Sequence, residues 1–547
     1  FNPFNTDINT VRGQETGYCT LNPLNNNGGT LSNGNLSLTS SGAANVSATL
    51  QIPTTGRWYW EYFLNGTTSG GVVGISDGSA MNGTALGDWT KIYGYSPNGN
   101  KYENASASSY GATLATGDLV GVKYDADTRQ LEFLKNNISQ GVSHTVSSDY
   151  DYYPTIHGNV LEVIANFGQN PFKFPPPEGY QSLNLAAVRP ETVIANSTQY
   201  VGVTTYTGAI TDTSSQLVTG INFQSDLVWI KRRDGSNSHQ LVDSVRGTGK
   251  WLESSGTAIE NSTNSNGVLT SFNRNGFTLT GGSTNANLCC ESGFEYVAWA
   301  WKAGGAPTAD NNNTSGSMDA NSVSIDGVLQ SAYTPSGSPS IYPKKMSIGT
   351  RQGFSIVEYT GVGDGSTETV SHGLSEDPDF IIIKNVDSTT DWAIYHRSAG
   401  TGKSLKFTTD GIDGTSMFSD TNPAGGIVTL KENSNRVNNP FDYIMYAWHD
   451  VPGLQKFGTY EGNNNSNGPF VHLGFNPAII WTKSIDSDGK GWEAHWNSGP
   501  TLRENPQSER VMLNESVGRA TSNHVDFLSN GFKIRNTFSG MNNASET

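Results

Sequence analysis

Residues 226–233 read DLVWIKRR, 379–386 read DFIIIKNV and 478–485 read AIIWTKSI, and each is followed by a polar turn opening on Asp234, Asp387 or Asp486. Three copies of one strand and turn commit the larger part of the chain to a repeated β unit. A Tyr-x-Gly marker precedes each copy, at Tyr206, Tyr359 and Tyr460. The Tyr206–Lys231 and Tyr359–Lys384 intervals are equal, and Tyr460–Lys483 is two residues shorter. Downstream, NGFTLTG (275–281), GGIVTLKE (425–432) and NGFKIRN (530–536) correspond, and two copies close on FEYVAWAW (294–301) and FDYIMYAW (441–448). The third closing strand has no counterpart before Thr547, so the sequence predicts a chain that runs on further, with its last unit incomplete. The opening on Phe1 likewise predicts a missing or processed N-terminus.

Units one and two are spaced more widely than two and three, and the excess is residues 306–349, polar and rich in Gly, Ser and Pro. That insert reads as an extended linker wrapped along neighbouring domains, with short strand pairing at SVSIDG (322–327). The expected organisation is a first domain over 1–190, repeats over 191–305, 350–453 and 454–547, and the linker over 306–349. Each repeat has room for about six to eight short alternating strands, enough for a small sandwich.

Composition agrees with an all-β chain of tandem sandwiches. Only 15 % of residues are charged, 63 are Gly, and no run of helix formers keeps a 3.6-residue period for more than a turn or two. A formal charge of −16 without a Lys/Arg stripe argues against a nucleic-acid partner. No window of 18 apolar residues offers a membrane-spanning helix, so no membrane insertion is expected. Cys19, Cys289 and Cys290 are too few for a disulfide framework, and the adjacent pair would bond only under strain.

The stretch TGRWYWEYFL (55–64) holds five aromatic rings in ten positions. On a strand, Trp58, Trp60 and Tyr62 share one face, and Tyr59, Glu61 and Phe63 share the other. Such a face is either a ligand platform or the core of a sandwich. The strands that follow are GGVVGISDG (70–78), DLVGVKYDADTRQLEFLKNN (118–137), YYPTIH (152–157) and IANFGQNPFKFPPPEGY (164–180). In this order the motifs resemble the SPRY domain family over roughly residues 15–185. The resemblance implies a two-sheet, concanavalin-like β-sandwich that binds partners through inter-strand loops and is not catalytic, with the Trp58/Trp60 face in its core. The segment GDWTKIYGYSPNGNKY (87–102) reads as a long loop or irregular hairpin, so Trp89, Tyr93, Tyr95 and Tyr102 are the candidate binding residues. The alternative is that these rings cover the end of the sandwich.

A SPRY-like module followed by Tyr-x-Gly and Ala-Trp repeats resembles virion proteins of tailed phages, particularly those of marine cyanobacterial phages. That resemblance implies a structural protein of the virion, in a tail fibre or as a tail-associated adhesin, that works as a homotrimer. Its partners would be other virion proteins and a host surface glycan or outer-membrane protein. The alternatives are a head or tail decoration protein that contacts only virion subunits, and a polysaccharide-degrading tailspike. The sequence offers no enzyme signature. Most of its single carboxylates sit beside Gly or Asn in turns, where Asp caps its own backbone. GTGKS (400–404) lacks the P-loop spacing, and DSDGKGWE (486–493) lacks the calcium-loop spacing although Asp486, Asp488 and Glu493 are oxygen donors. His396 and His495 have no matching histidine in the first repeat and read as packing or surface residues. No catalytic residue, metal site or cofactor is expected.

Overall fold

A computed structural model describes residues 17–66, 71–78, 91–103, 106–148, 150–159, 162–184, 194, 196–408, 410–497 and 505–547. The chain divides into two compact units, Phe1–Glu191 and Thr192–Thr547. Both are β structures: among the described residues the helical elements are two single turns, Ser197–Gln199 and Arg397–Ala399. No described helix is long and apolar enough to cross a membrane.

The first unit is a two-sheet sandwich. One sheet runs in the order Leu21–Asn27, Ala43–Ala48, Tyr153–Asn159, Val72–Ser76, Ile92–Tyr95, Asn100–Glu103, Ser106–Ser109. The other runs Ile138–Thr145, Gln130–Lys135, Leu119–Asp125, Arg57–Gly66, Glu162–Asn166, Ser37–Thr39, Thr30–Ser32, with Gln181–Ser182 added parallel to Arg57–Gly66. Trp58, Trp60 and Tyr62 point into the core between the sheets, so that face is interior and not a ligand platform. Tyr59 and Glu61, on the other face, are buried as well, because the Pro-rich closing segment folds over them. Glu61 accepts the backbone N–H of Lys173 at 3.0 Å and of Phe174 at 3.2 Å, and the Tyr59 ring meets Phe172 edge-on at 5.1 Å. A buried carboxylate paired with two backbone donors and the Tyr59 hydroxyl ties that segment to the sheet.

The second unit is built from three β repeats, the first two of them two-sheet sandwiches. The first has a sheet ordered Val201–Thr207, Glu295–Trp301, Leu227–Arg232, Gln240–Asp243, packed on a three-stranded sheet of Ser215–Thr219, Gly276–Thr280 and Val268–Asn273. In the second, the corresponding strands are Phe354–Thr360, Asp442–Trp448, Phe380–Asn385 and Ala393–His396, packed on the pair Glu368–Ser371 and Ile427–Leu430. The third is a six-stranded sheet ordered Phe470–His472, Gly531–Ile534, Ala520–Leu528, Gln507–Met512, Glu493–Trp496, Ile479–Thr482.

Residues 306–349 are part of the second repeat and carry strands of their own. Val323–Ile325 pairs parallel with Lys345–Gly349, which extends the sheet beyond Phe354–Thr360, and Met318, Val323, Ile341, Met346 and Ile348 are buried in that repeat's core. Asp326 and Gly327 turn the chain back toward Val328–Leu329 with φ of 48° and 88°, as a tight hairpin turn with both central residues left-handed requires.

The central strands of the first two repeats are buried on both faces. Val228, Ile230, Tyr296, Ala298 and Ala300 fill the first repeat's own core, while Leu227, Trp229, Val297, Trp299 and Trp301 face a second core shared by all three repeats. Ile444, Tyr446 and Trp448 of the second repeat and Ala494 and Trp496 of the third enter the same shared core. Its rings meet across the repeats: Trp229 with Trp481 at 5.2 Å, Trp299 with Trp496 at 6.1 Å, Trp301 with Trp448 at 6.4 Å, and Phe380 with Trp492 at 6.2 Å.

Three seams with equivalent hydrogen bonds close these contacts into a ring. Two residues after each repeat lysine, the carbonyl of Arg233, Val386 or Ile485 accepts a backbone N–H from Arg519, Glu260 or Ile412 of the preceding repeat, at 2.6, 2.8 and 3.0 Å. The aromatic residue beyond each turn bonds the same neighbour: His239 Nε2 lies 2.9 Å from Met512 O, Trp392 Nε1 donates to Glu253 O at 3.1 Å, and Trp492 Nε1 donates to Lys406 O at 2.7 Å. The third repeat thus bonds to the first, the first to the second and the second to the third.

Candidate functional site

The residues expected to bind are placed differently by the structure. Ile92–Tyr95 and Asn100–Glu103 form a regular hairpin where a long loop or irregular hairpin was expected, closed by Gly99 N–H to Ser96 O at 3.0 Å. Tyr93 and Tyr95 are separated by one residue and therefore share the core face. Tyr95 is fully buried, 5.2 Å from the Tyr110 ring and 5.5 Å from Phe133, and Tyr93 lies 5.9 Å from Tyr152. Tyr102 is buried too. Trp89 lies outside the described residues. Tyr93 and Tyr95 belong to the core, and the signal was the alternation in IYGY, with Gly94 between the rings.

Apolar surface is instead presented by the edge strand Ile138–Thr145. Ile138 is 69 % exposed and Val142 48 %. The strand pairs on one side with Gln130–Lys135 and its register shifts twice; Ser143 and His144 are buried, whereas Ile138 and Val142 face out. The segment 110–113 braces it: Tyr110 Oη donates to Gly141 O and Ala112 N–H donates to Gln140 Oε1 at 2.9 Å, while Lys135 Nζ of the neighbouring strand donates to Thr113 O at 2.7 Å. A braced strand edge with two bare aliphatic side chains suits contact with another protein segment.

Groups that resemble reactive centres in the second unit are committed to its own fold. Burial pushes Lys231 down to about 7 and Lys384 and Lys483 to about 8. Each ammonium nevertheless donates to backbone carbonyls: Lys231 to Asn237 and Ser516, both at 2.9 Å; Lys384 to Asn385 at 2.9 Å and Thr390 at 3.1 Å; Lys483 to Ser484 at 2.7 Å and Lys490 at 2.8 Å. They hold the three Asp turns closed. A groove of about 610 Å³ in the second repeat is lined by Leu374, Glu376, Asp377, Asp379 and Arg397. Asp379 pairs with Arg397 at 2.8 Å and accepts Asp450 N–H at 2.7 Å, so its central charges serve the fold. Among the described residues no group of three or more His, Cys, Asp or Glu is arranged to hold a metal ion. Asp486 and Asp488 accept the N–H groups of Thr547 and Gly411 at 2.6 and 2.7 Å.

Sequence reasoning missed a polar cluster inside the third repeat. Glu493 and His495 point into its interior, where the first repeat has Gln240 and Val242, and the His495 ring lies 5.4 Å from His524. Burial lifts the Glu493 carboxyl to about 7, outweighing the Arg510 guanidinium 3.1 Å away, and holds both imidazoles below their ordinary value. Glu493 ionises near 4.5 once unfolded, so the folded chain keeps an extra proton between that pH and about 7, and stability falls as pH rises through the window. Glu493→Gln is expected to flatten that dependence and to raise stability above pH 7 by on the order of 1–3 kcal/mol, read from urea midpoints at a series of pH values.

The fold of the first unit agrees with the comparisons to known proteins. The SPRY domain family model matches residues 57–170, and this unit is a SPRY domain. Ran-binding protein 9 of Danio rerio is 33 % identical over 141 residues, covering 24 % of this chain and 23 % of that protein. The Ran-binding proteins 9/10 homolog of Drosophila melanogaster is 31 % identical over 141 residues, covering 24 % of this chain and 15 % of that protein. The chain therefore spans less than a quarter of the length of these relatives. Among solved structures, the SPRY domain of human HERC1 is 19 % identical with a TM-score of 0.25, covering 28 % of this chain and 99 % of that one. Stonustoxin is 22 % identical with a TM-score of 0.23, covering 27 % of each chain. Residues 196–330 and 332–547 match a family described as "Domain of unknown function (DUF7483)". With more than half of its length so matched, the chain belongs to that family.

Proposed function

We propose that the chain is a non-catalytic structural and adhesive protein of a tailed-phage virion, a tail fibre or tail-associated component whose SPRY domain recognises a partner while the ring of three repeats carries it. The observation behind this reading is the use of the second unit's buried polar groups: Lys231, the ring nitrogens of His239, Trp392 and Trp492 and the Asp488 carboxylate bond the repeats to one another, as a carrier requires and a catalyst does not. The exposed side chains of Ile138 and Val142 favour a protein partner over a glycan, because aliphatic groups offer a sugar few hydrogen bonds and offer a protein surface apolar packing. The relatives named for binding Ran point the same way, toward recognition of protein. The partner is a host outer-membrane protein or a neighbouring virion subunit. In this reading a homotrimer needs contacts other than the repeat borders, since those are covered within one chain.

Ile138→Asp with Val142→Asp is expected to abolish binding of the purified chain to host cells and to disrupted virions while leaving its melting temperature unchanged, since exposed substitutions seldom cost more than about 0.5 kcal/mol. Binding retained by both targets contradicts this assignment of the recognition edge. New reducing ends after incubation with host polysaccharide contradict the non-catalytic reading.

A further inference from the structure

The first two repeats share an anchor at the start of the lysine strand, and in the second that anchor borders the groove. In the first repeat, buried Asp226 accepts Ser244 Oγ at 2.8 Å and the Ala303 N–H at 2.7 Å. In the second, Asp379 pairs with Arg397 at 2.8 Å and accepts the Asp450 N–H at 2.7 Å. Arg in the place of Ser sets a guanidinium beside the strand, and its Nη2 donates to Asp377 O at 3.0 Å, which holds the preceding turn. Three residues before the anchor position stand Phe223 in the first repeat, Glu376 in the second and Phe475 in the third. Phe223 is buried in its repeat's core, whereas Glu376 is exposed.

The groove of about 610 Å³ opens at this place and falls within the range of about 300–1,000 Å³ usual for small-molecule sites. Its far wall is Gly425–Gly426, with φ of 63° and 89°. A Cβ on Gly426 would come within 2.4 Å of Ser336 Oγ, so Gly lets that hydroxyl, from the segment 306–349, approach the wall. Behind Asp377 lies His372, which is fully buried. Its Nδ1 accepts the Leu374 N–H at 3.1 Å, so the proton of the neutral ring sits on Nε2. Burial lowers the imidazole to about 4 and keeps it neutral. Nε2 makes no hydrogen bond and faces Asp377 Oδ1 at 3.8 Å, beyond hydrogen-bond length. A buried donor is therefore left unspent against the wall of the groove.

We propose that this groove binds a neutral oligosaccharide. Glu376 and Asp377 offer carboxylate oxygens that accept, and Arg397, Ser336 and Ser375 offer N–H and O–H groups that donate. Neighbouring sugar hydroxyls each donate one hydrogen bond and accept others, so they match both kinds of group at once. An anionic ligand meets three carboxylates, Glu376, Asp377 and Asp379, against one guanidinium. An apolar ligand finds one aliphatic side chain, Leu374. A basic side chain would pair with the carboxylates but oppose Arg397 and leave the hydroxyls unmatched. The site belongs to the second repeat alone, because the first has Phe223 and Ser244 where the second has Glu376 and Arg397. It is separate from the strand edge of the SPRY domain and gives the second unit a contact of its own.

The test is ligand-observed NMR titration of the full chain with maltotriose, cellotriose and chitotriose, beside trigalacturonate and tetralysine. At least one of the three neutral trisaccharides is expected to bind, and trigalacturonate and tetralysine are expected to bind more weakly than it does. Glu376→Ala and Asp377→Asn should each weaken that binding by about tenfold or more, since each removes a charged acceptor. Ile138→Asp with Val142→Asp should leave it unchanged, which separates this site from the recognition edge of the SPRY domain. Absence of binding by all three neutral sugars, tighter binding of trigalacturonate or tetralysine, or unchanged dissociation constants in both groove variants overturns the proposal.

Discussion

Asp243→Asn should cost the second unit about 3–5 kcal/mol, because it leaves the Arg246 guanidinium buried with its nearest countercharge removed. Asp243 is fully buried and takes Arg246 Nε at 2.6 Å and the Tyr446 hydroxyl at 2.8 Å on one oxygen, and the backbone N–H groups of Val245 and Arg246 on the other. The carboxylates of Asp243 and Glu260 and the Tyr446 hydroxyl hold Arg246 charged against the burial that would discharge it. Tyr446 comes from the second repeat, so the network fastens two repeats as well as one turn. The amide of Asn keeps an oxygen for the two backbone donors but cannot balance the charge. Pairing the substitution with Arg246→Met removes the stranded cation, and the double variant should be more stable than Asp243→Asn alone. Guanidinium unfolding followed by tryptophan fluorescence measures both, and equal stability of wild type and Asp243→Asn would contradict this account of the pair.

Trp299→Ala is expected to have a comparable effect by a different route. The indole is fully buried in the shared core, 6.2 Å from Trp229 and 6.1 Å from Trp496, so its removal opens a cavity between the first and third repeats. Large aromatic-to-Ala changes in cores cost about 3–5 kcal/mol. Against a total of about 5–15 kcal/mol for a typical domain, that is a large share. All three repeats should lose stability together, and limited proteolysis should cut each of them at lower denaturant than in the wild type. Loss confined to the first repeat would contradict a shared core.

Much of this architecture is legible in the sequence, for physical reasons. The alternation of Trp58, Trp60 and Tyr62, read within the SPRY-like order of motifs, placed that face in the core, and the recurring Tyr-x-Gly, lysine strand and Asp turn marked the three repeats. The same alternation was present in IYGY but was outweighed by the Gly, Asn and Pro around it, which suggest a loop whether or not a hairpin forms. The ring of repeats also left a trace. A lone small sandwich shows water one face of its strands, whereas VAWAW and IMYAW are apolar at every position, the mark of burial on both sides. Period-two reasoning cannot say what covers the second face, because the partner strands lie a hundred residues or more away in sequence.

Residues 306–349 read as linker because their anchors, Met318, Val323, Ile341, Met346 and Ile348, stand apart among polar residues. No local pattern shows that such scattered side chains converge on one core. Glu493 and His495 were hidden for the opposite reason: each is unremarkable in a polar β chain, and their burial follows from the register with Gln507–Met512. The exposed edge at Ile138 and Val142 had no local signal either, since an aliphatic residue on a strand reads as interior until the strand order puts it at the rim.

Differential scanning calorimetry of the intact chain, with hydrogen exchange to assign each transition, tests most directly the claim that one aromatic core and three equivalent seams join the repeats into a single scaffold. The account predicts that residues 192–547 melt in one transition whose calorimetric and van't Hoff enthalpies agree, with the most protected amides of all three repeats opening together. Separate transitions for the three repeats, or protection in the first two that survives the unfolding of the third, would contradict it.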